Sequence, residues 1–277
     1  KFFYPNPLQS IGQHQRQPWF GCACCPSNAA RFIPSLPQYI YAVKDNSLYI
    51  NLFNSNTVNV KVGKKNVTLS QQTNYPWDGD VALTINNGAG NYALNIRIPG
   101  WVKNEVVPSN LYTYSDTKRL GYTVKVNGKP VEGELKQGYF VIDRAWKKGD
   151  KVDIHFDMEA RTVRANGKVA ADKGRVSVER GPIVYCAEWP DNKCDVLSVL
   201  INQEPKFTLG SEEIMNTKVQ TLTTDAQTLN FSKEGKLQTT DEKLVLIPYY
   251  AWNHRGAGKM TVWIPQDLNA TTPALPA

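Results

Sequence analysis

The sequence predicts a mainly β chain, with tandem antiparallel β-sandwich domains preceded by one short helical segment. Three observations predict it. Short segments that alternate apolar and polar residues recur about every 8–12 residues from Gln38 onward. Turn residues punctuate them, among them Asn127-Gly128, a tight-turn pair. Helical character is confined to residues 27–33, with Ser27 as the cap and Pro34 as the stop.

The elements follow in order. Residues 39–43 and 47–53 read as paired strands about the turn Lys44-Asp45-Asn46. Residues 58–62 alternate cleanly, turn at Gly63-Lys64-Lys65 and continue through 66–70. Segments 81–85 and 92–98 flank the turn Asn86-Asn87-Gly88-Ala89-Gly90, and 123–126, 138–142 and 151–156 complete a first sandwich. Residues 161–173, rich in Gly, Ala and charges, read as a connection. Strand character resumes at 175–178 and 183–186, weakens over 205–245 and returns at 244–250 and 259–264. The Pro/Ala/Thr-rich tail from Pro265 is expected to fray. No internal repeat of fixed period is visible. The division that follows is 1–35, a separate leading segment; 36–160, a first β-sandwich; and 161–277, a second sandwich or its completing strands.

Composition bounds the function. A chain of 277 residues buries a sizeable core, and 41% hydrophobic with 21% charged residues is ordinary globular composition. No run of about 18 apolar residues exists, so no transmembrane helix is expected and no membrane partner is assigned. The net charge of +7 invites nucleic acid as a partner. The lysines, however, are scattered through strand-like segments. The densest runs, Lys64-Lys65 and Lys147-Lys148-Gly149-Asp150-Lys151, are short turn-like pieces, so nucleic acid is not assigned. The start, Lys1-Phe2-Phe3-Tyr4-Pro5, has no initiator Met and no signal-peptide shape, and reads as the middle of something longer.

The most informative feature is Cys22-Ala23-Cys24-Cys25, three of only five cysteines, close to His14 and Arg16. Thiolates are soft metal ligands and strong nucleophiles, and three in one loop repel each other unless a cation intervenes. The cluster sits just before the expected helix, whose N-terminal amides favour a thiolate. A self-contained zinc site needs about four ligands, and no second CxxC follows; the other histidines are His155 and His254. Four readings stay open: a metal site, a reactive thiol, small buried apolar residues, or disulfides to Cys186 and Cys194.

Other segments carry weaker signals. Tyr75-Pro76-Trp77-Asp78-Gly79-Asp80 suits contact with a sugar, through an aromatic face and carboxylates; the plainer reading is an Asp-Gly turn with a core Trp. Tyr249-Tyr250-Ala251-Trp252-Asn253-His254 reads similarly, with His254 structural. His155 lies in an alternating strand and is expected to face solvent or a sheet partner. Asp143 and Glu188 stand isolated, so spacing identifies no acid–base pair of carboxylates.

In combination, Tyr4-Pro5-Asn6-Pro7-Leu8, His14-Gln15-Arg16, Trp19-Phe20-Gly21-Cys22-Ala23-Cys24-Cys25-Pro26-Ser27-Asn28 and Arg31 resemble glycoside hydrolase family 127. Tyr75-Pro76-Trp77-Asp78-Gly79, Arg97-Ile98-Pro99-Gly100-Trp101, Arg180-Gly181-Pro182-Ile183-Val184-Tyr185-Cys186 and Tyr249-Tyr250-Ala251-Trp252 extend the resemblance over nearly the whole chain. It implies that residues 1–35 are the end of a catalytic (α/α)6 barrel, with β-sandwiches following. It implies β-L-arabinofuranosidase activity on plant-type glycans by a retaining mechanism, with Cys24 as nucleophile and Cys24 and Cys25 as ligands of Zn2+. Tyr4 and Cys22 would line the substrate side. The resemblance also implies a glutamate acid/base and an upstream Glu and Cys on the zinc, yet no Glu precedes Glu105. Those groups would come from the missing N-terminal barrel domain of the same protein. The chain is then expected to be inactive alone, to bind zinc weakly or not at all, and to carry a poorly packed leading segment. The alternative is a non-catalytic carbohydrate-binding or structural β-sandwich module. The compartment is left open between bacterial cytoplasm and periplasm.

Overall fold

The computed structural model describes residues 1–22 and 24–274. The chain is mainly β and folds into two compact units: Lys1–Pro26 with Val106–Thr117 and Ala160–Ala277, and Ser27–Glu105 with Lys118–Glu159.

The unit built from the middle of the chain is a two-sheet sandwich. One sheet has six strands, in the order Lys129–Pro130, Tyr122–Val126, Lys151–Phe156, Asp80–Asn87, Lys65–Thr73, Asn56–Val62. The other has five, in the order Glu134–Lys136, Tyr139–Trp146, Gly90–Arg97, Ser47–Ile50, Tyr41–Lys44. Alternation explains the layers. Leu69, Leu83, Ile85, Val152 and Ile154 of the first sheet are buried, as are Leu48, Ile50, Leu94, Ile96 and Phe140 of the second. Tyr122 meets Phe140 across the layers, edge to face at 6.1 Å. The expected turns form where the residue types demand. Asp45 takes φ 51° between Tyr41–Lys44 and Ser47–Ile50, and Asn127 and Gly128 take φ 51° and 78° between their strands. The segments flanking Gly88 belong to different sheets, so this turn carries the chain from layer to layer. One pair, Ser47–Ile50 with Gly90–Arg97, is parallel.

The other unit is organised by an eleven-stranded sheet. Its main path runs Val199–Ile201, Thr217–Phe231, Leu237–Pro248, Ile183–Glu188, Arg175–Arg180, Ala160–Ala165, Tyr112–Tyr114. Residues 161–165, expected in a connection, are strand. The guanidinium of Arg161 is buried, forked onto Asp116 at 2.7 and 3.2 Å and stacked 3.6 Å from the ring of Tyr114. A charge that reads as linker is therefore an ion-paired, ring-stacked sheet residue. The weak alternation of 205–245 also hides long strands, because Thr221, Thr224 and Thr228 occupy buried positions of Thr217–Phe231 where apolar residues are the usual signal. The tail does not fray as far as Ala274. Pro265 pairs with Arg175, the Gln266 side chain is buried and bonded to Asn202 and Gln203, and Ala274 bridges to Asn230.

The helix differs from expectation at both ends. It runs Cys24–Phe32, and Ile33–Ser35 continues as a 3-10 turn that absorbs Pro34. Pro26 lies within the first turn, where its missing N–H costs nothing, so the helix starts three residues before Ser27. A second short helix, Pro37–Ile40, delays the first strand to Tyr41. The leading segment leaves Phe2, Tyr4, Leu8, Ile11 and Trp19 exposed, as expected of a poorly packed piece, but its backbone is tied down. Gln9–Ile11 pairs with Lys259–Thr261, Val262 donates to the Leu8 carbonyl at 2.9 Å, and Tyr249 donates to Pro7 at 2.8 Å.

Candidate active site

The site is built on the first turn of Cys24–Phe32 and the strand-like piece that carries Tyr4. Phe2 and Gln17 exchange backbone hydrogen bonds of 2.7 and 2.9 Å, closing a loop. The closure brings Phe2 onto Trp19 and Tyr4 onto Phe20, with ring centroids 6.1 and 5.2 Å apart. Tyr4 Oη then lies 2.8 Å from Cys24 Sγ and 3.8 Å from Cys22 Sγ. Cys24 Sγ stands 3.9 Å from both Cys22 Sγ and Cys25 Sγ. All four sequence-predicted residues are thus brought together, and all are exposed. Ala23 lies outside the described residues.

The electrostatics of the pair are reciprocal. The Tyr4 hydrogen bond, followed by those of the two neighbouring thiols, holds the Cys24 thiol below its ordinary pKa, helped by the Cys25 backbone N–H at the helix start. The same contacts, Cys24 first, push the Tyr4 phenol up. Once Cys24 is ionised, the phenol is the group of the pair that keeps its proton and donates to the thiolate. Cys186 contrasts: it is fully buried, and desolvation raises its pKa well above the usual thiol value. No disulfide joins any of the five cysteines.

Zinc can be tested against these sulfurs. Two thiolates on a tetrahedral zinc sit about 3.8 Å apart, since each Zn–S bond is about 2.3 Å. The Cys24–Cys25 separation of 3.9 Å fits that edge. Among the described residues, however, no group of three His, Cys, Asp or Glu side chains converges to hold a metal. The spacing of the pair suits two positions of such a tetrahedron, and among the described residues no full set of donors accompanies it.

The weaker candidates resolve individually. Trp77 is 43% exposed, so it is not the core Trp expected of an Asp-Gly turn; Tyr75 takes the inner position instead, accepting from Trp101 Nε1 at 3.2 Å. Beside this turn lies an open groove of about 590 Å3 whose lining includes Asp78, Asp80 and Asp153. His155 is exposed on its strand, 2.7 Å from Asp80. His254 is partly buried, and desolvation with the nearby Arg16 charge holds its pKa below the ordinary value. Glu188, read as isolated, is buried and ion-paired with Arg255. Sequence reasoning missed this carboxylate and Phe3. The only signal was that His14-Gln15-Arg16 and Trp252-Asn253 both stand in recognisable motifs.

Family models match the chain in three consecutive blocks. Residues 1–38 match the beta-L-arabinofuranosidase GH127 catalytic domain, 47–158 the GH127 middle domain and 160–265 the glycoside hydrolase family 127 C-terminal domain. The matches set the class as glycoside hydrolase. A non-reducing end beta-L-arabinofuranosidase of Bifidobacterium longum subsp. longum is 33% identical over 94% of this chain and 40% of its own length. A solved GH127 beta-arabinofuranosidase superposes with a TM-score of 0.96 at 55% identity, covering 99% of this chain and 43% of that one. A GH127 beta-L-arabinofuranosidase from Geobacillus stearothermophilus T6 gives a TM-score of 0.82 at 33% identity, covering 96% and 42%. The chain belongs to glycoside hydrolase family 127, to its C-terminal portion, and spans about two fifths of the length of these relatives. Among the described residues no helix is long and apolar enough to cross a membrane.

Proposed function

We propose that this chain is the C-terminal part of a retaining glycoside hydrolase that cleaves β-L-arabinofuranosides of plant-type glycans, with Cys24 as nucleophile. The observation that carries the reading is the 2.8 Å contact between Tyr4 Oη and Cys24 Sγ at a helix start. In the first step Cys24 Sγ bonds to the anomeric carbon while the glycosidic C–O bond breaks. The departing oxygen takes its electron pair and a proton from a carboxylic acid contributed by the rest of the enzyme. In the second, that carboxylate removes a proton from water, the water oxygen bonds to the anomeric carbon and the C–S bond breaks, releasing the Cys24 thiolate. Tyr4 keeps its proton throughout, steadying the thiolate before attack and as it leaves.

Cys24 and Cys25 are proposed to hold Zn2+ together with donors from the catalytic domain. Bound there, the metal would lower the thiol pKa and fix its direction. Cys22 and Tyr4 line the substrate side. The same reading divides the chain into the end of the catalytic domain (1–35), a first sandwich (36–160) and a second (161–277). The family matches at 1–38, 47–158 and 160–265 support that division. The relatives named for beta-L-arabinofuranose support the sugar.

The test compares the 277-residue chain with a version extended upstream through the helical domain. Zinc near one per chain and arabinofuranoside turnover are expected only in the extended form, and Cys24→Ser there should abolish turnover. Turnover by the short chain, or by the Cys24→Ser enzyme, would sink the reading.

A further inference from the structure

We propose that Glu188 is a positioning residue for the Tyr4–Cys24 pair, acting through Asn253 and a Trp252–Phe3–Arg16 stack; this rests on the thiol reading above. Glu188 is 1% exposed. A lone carboxylate there would be costly, and an ion pair at such depth seldom stabilises more than a packed apolar residue would. Its value therefore lies in what it orients. One oxygen accepts the backbone N–H of Asn253 at 2.6 Å, and the other pairs with Arg255. Arg255 is in turn forked onto both oxygens of Asp191. These bonds pin the turn that carries residues 249–253.

That turn grips the leading segment on both sides of Tyr4. The Asn253 side-chain amide donates to the His14 carbonyl at 2.7 Å. Arg16 donates to the Trp252 and Tyr250 carbonyls at 3.0 and 3.2 Å. Phe3 is held between two planes, stacked on Trp252 at 4.8 Å and covered by the Arg16 guanidinium at 4.6 Å. Tyr4 itself is 40% exposed and has little wall of its own. Its neighbour Phe3 is the anchored residue, so the aim of the phenol at Cys24 depends on the turn that Glu188 fixes.

Two variants separate positioning from folding. Asn253 has φ 57°, so Asn253→Gly keeps the left-handed backbone while removing the buried side chain that donates to His14. Glu188→Gln keeps the volume and the acceptor for the Asn253 N–H but removes the negative charge that faces Arg255. The readout is iodoacetamide labelling of the 277-residue chain at neutral pH, resolved by site with mass spectrometry, beside a thermal melt. Each variant is expected to lower the Cys24-to-Cys25 labelling ratio by about three- to tenfold, as Tyr4→Phe does, because each takes the phenol oxygen away from its place 2.8 Å from Cys24 Sγ. In the Tyr4→Phe background, Asn253→Gly should lower it no further, because the two act on one contact. A ratio that Tyr4→Phe lowers but Asn253→Gly leaves alone overturns the positioning role and spares the thiol reading. A ratio indifferent to Tyr4→Phe overturns the positioning role as well, because the phenol then does nothing at Cys24, and leaves the nucleophile reading to the turnover test. Should Glu188→Gln fail to fold, Glu188→Asp, which keeps the charge but draws the acceptor back from the Asn253 N–H, takes its place: an unchanged ratio in a folded Glu188→Asp overturns the role of Glu188.

Discussion

The phenol oxygen of Tyr4 lies 2.8 Å from the sulfur of Cys24, closer than either neighbouring sulfur at 3.9 Å. The same contact lowers the Cys24 pKa and raises that of Tyr4, so as the pair loses a proton the thiol gives it up before the phenol does. The cysteine is thereby distinguished from Cys25 next to it by a residue twenty positions earlier.

Tyr4→Phe removes the donor, so the Cys24 thiol pKa rises. The midpoint of Cys24 alkylation against pH should move up toward the ordinary thiol value of about 8.5, and the rate at neutral pH should fall. Both side chains are exposed, so the urea midpoint should stay where it is. An unmoved alkylation profile would remove Tyr4 from the account of Cys24.

Glu179 tests the electrostatics of the unit that holds the eleven-stranded sheet. Burial raises its carboxyl to about 6, against the opposing hydrogen bond from Tyr114 and the charge of Arg161. An acid with a raised folded pKa binds more protons folded than unfolded. Its contribution is therefore favourable at low pH and is lost as pH climbs from about 4.5 to about 6. Glu179→Gln keeps an acceptor for Tyr114 and should stabilise the chain above pH 6 by about 1–2 kcal/mol. The gain should vanish near pH 4.5, in melts recorded across that range.

Arg161→Lys should destabilise by about 1–3 kcal/mol in urea titration. A lysine reaches neither the forked geometry on Asp116 nor the flat contact with Tyr114. An unchanged midpoint would mean that charge alone matters at this strand.

Gly79→Ala should cost about 2–4 kcal/mol, read from the same titration. The backbone at Gly79 is not left-handed; the constraint is space. A Cβ there runs into the Phe156 carbonyl, across the point where the Phe156 N–H donates to Gly79 at 3.0 Å.

How much of this was legible varies with the range of the interaction. Local alternation is read directly, and Asn127-Gly128 closes its turn as its residue types require. Gly79 was readable as a turn glycine, but its close approach to Phe156 involves a strand far along the chain. Thr221, Thr224 and Thr228 concealed a buried strand face, since hydroxyls score as polar in any pattern. Arg161 concealed a strand for the same reason.

By itself the sequence determined the mainly β class, most of the turns, the family and the clustering of Cys22, Cys24 and Cys25, because each is written in neighbours or in a contiguous motif. Only the tertiary structure decided that the helix begins at Cys24, that Tyr4 aims at that sulfur, and that Arg16 hangs from the carbonyl of Trp252, 236 residues away. Such contacts are selected by the packing of whole surfaces against each other, and periodicity along the chain reports which face of a strand is buried but not what it meets.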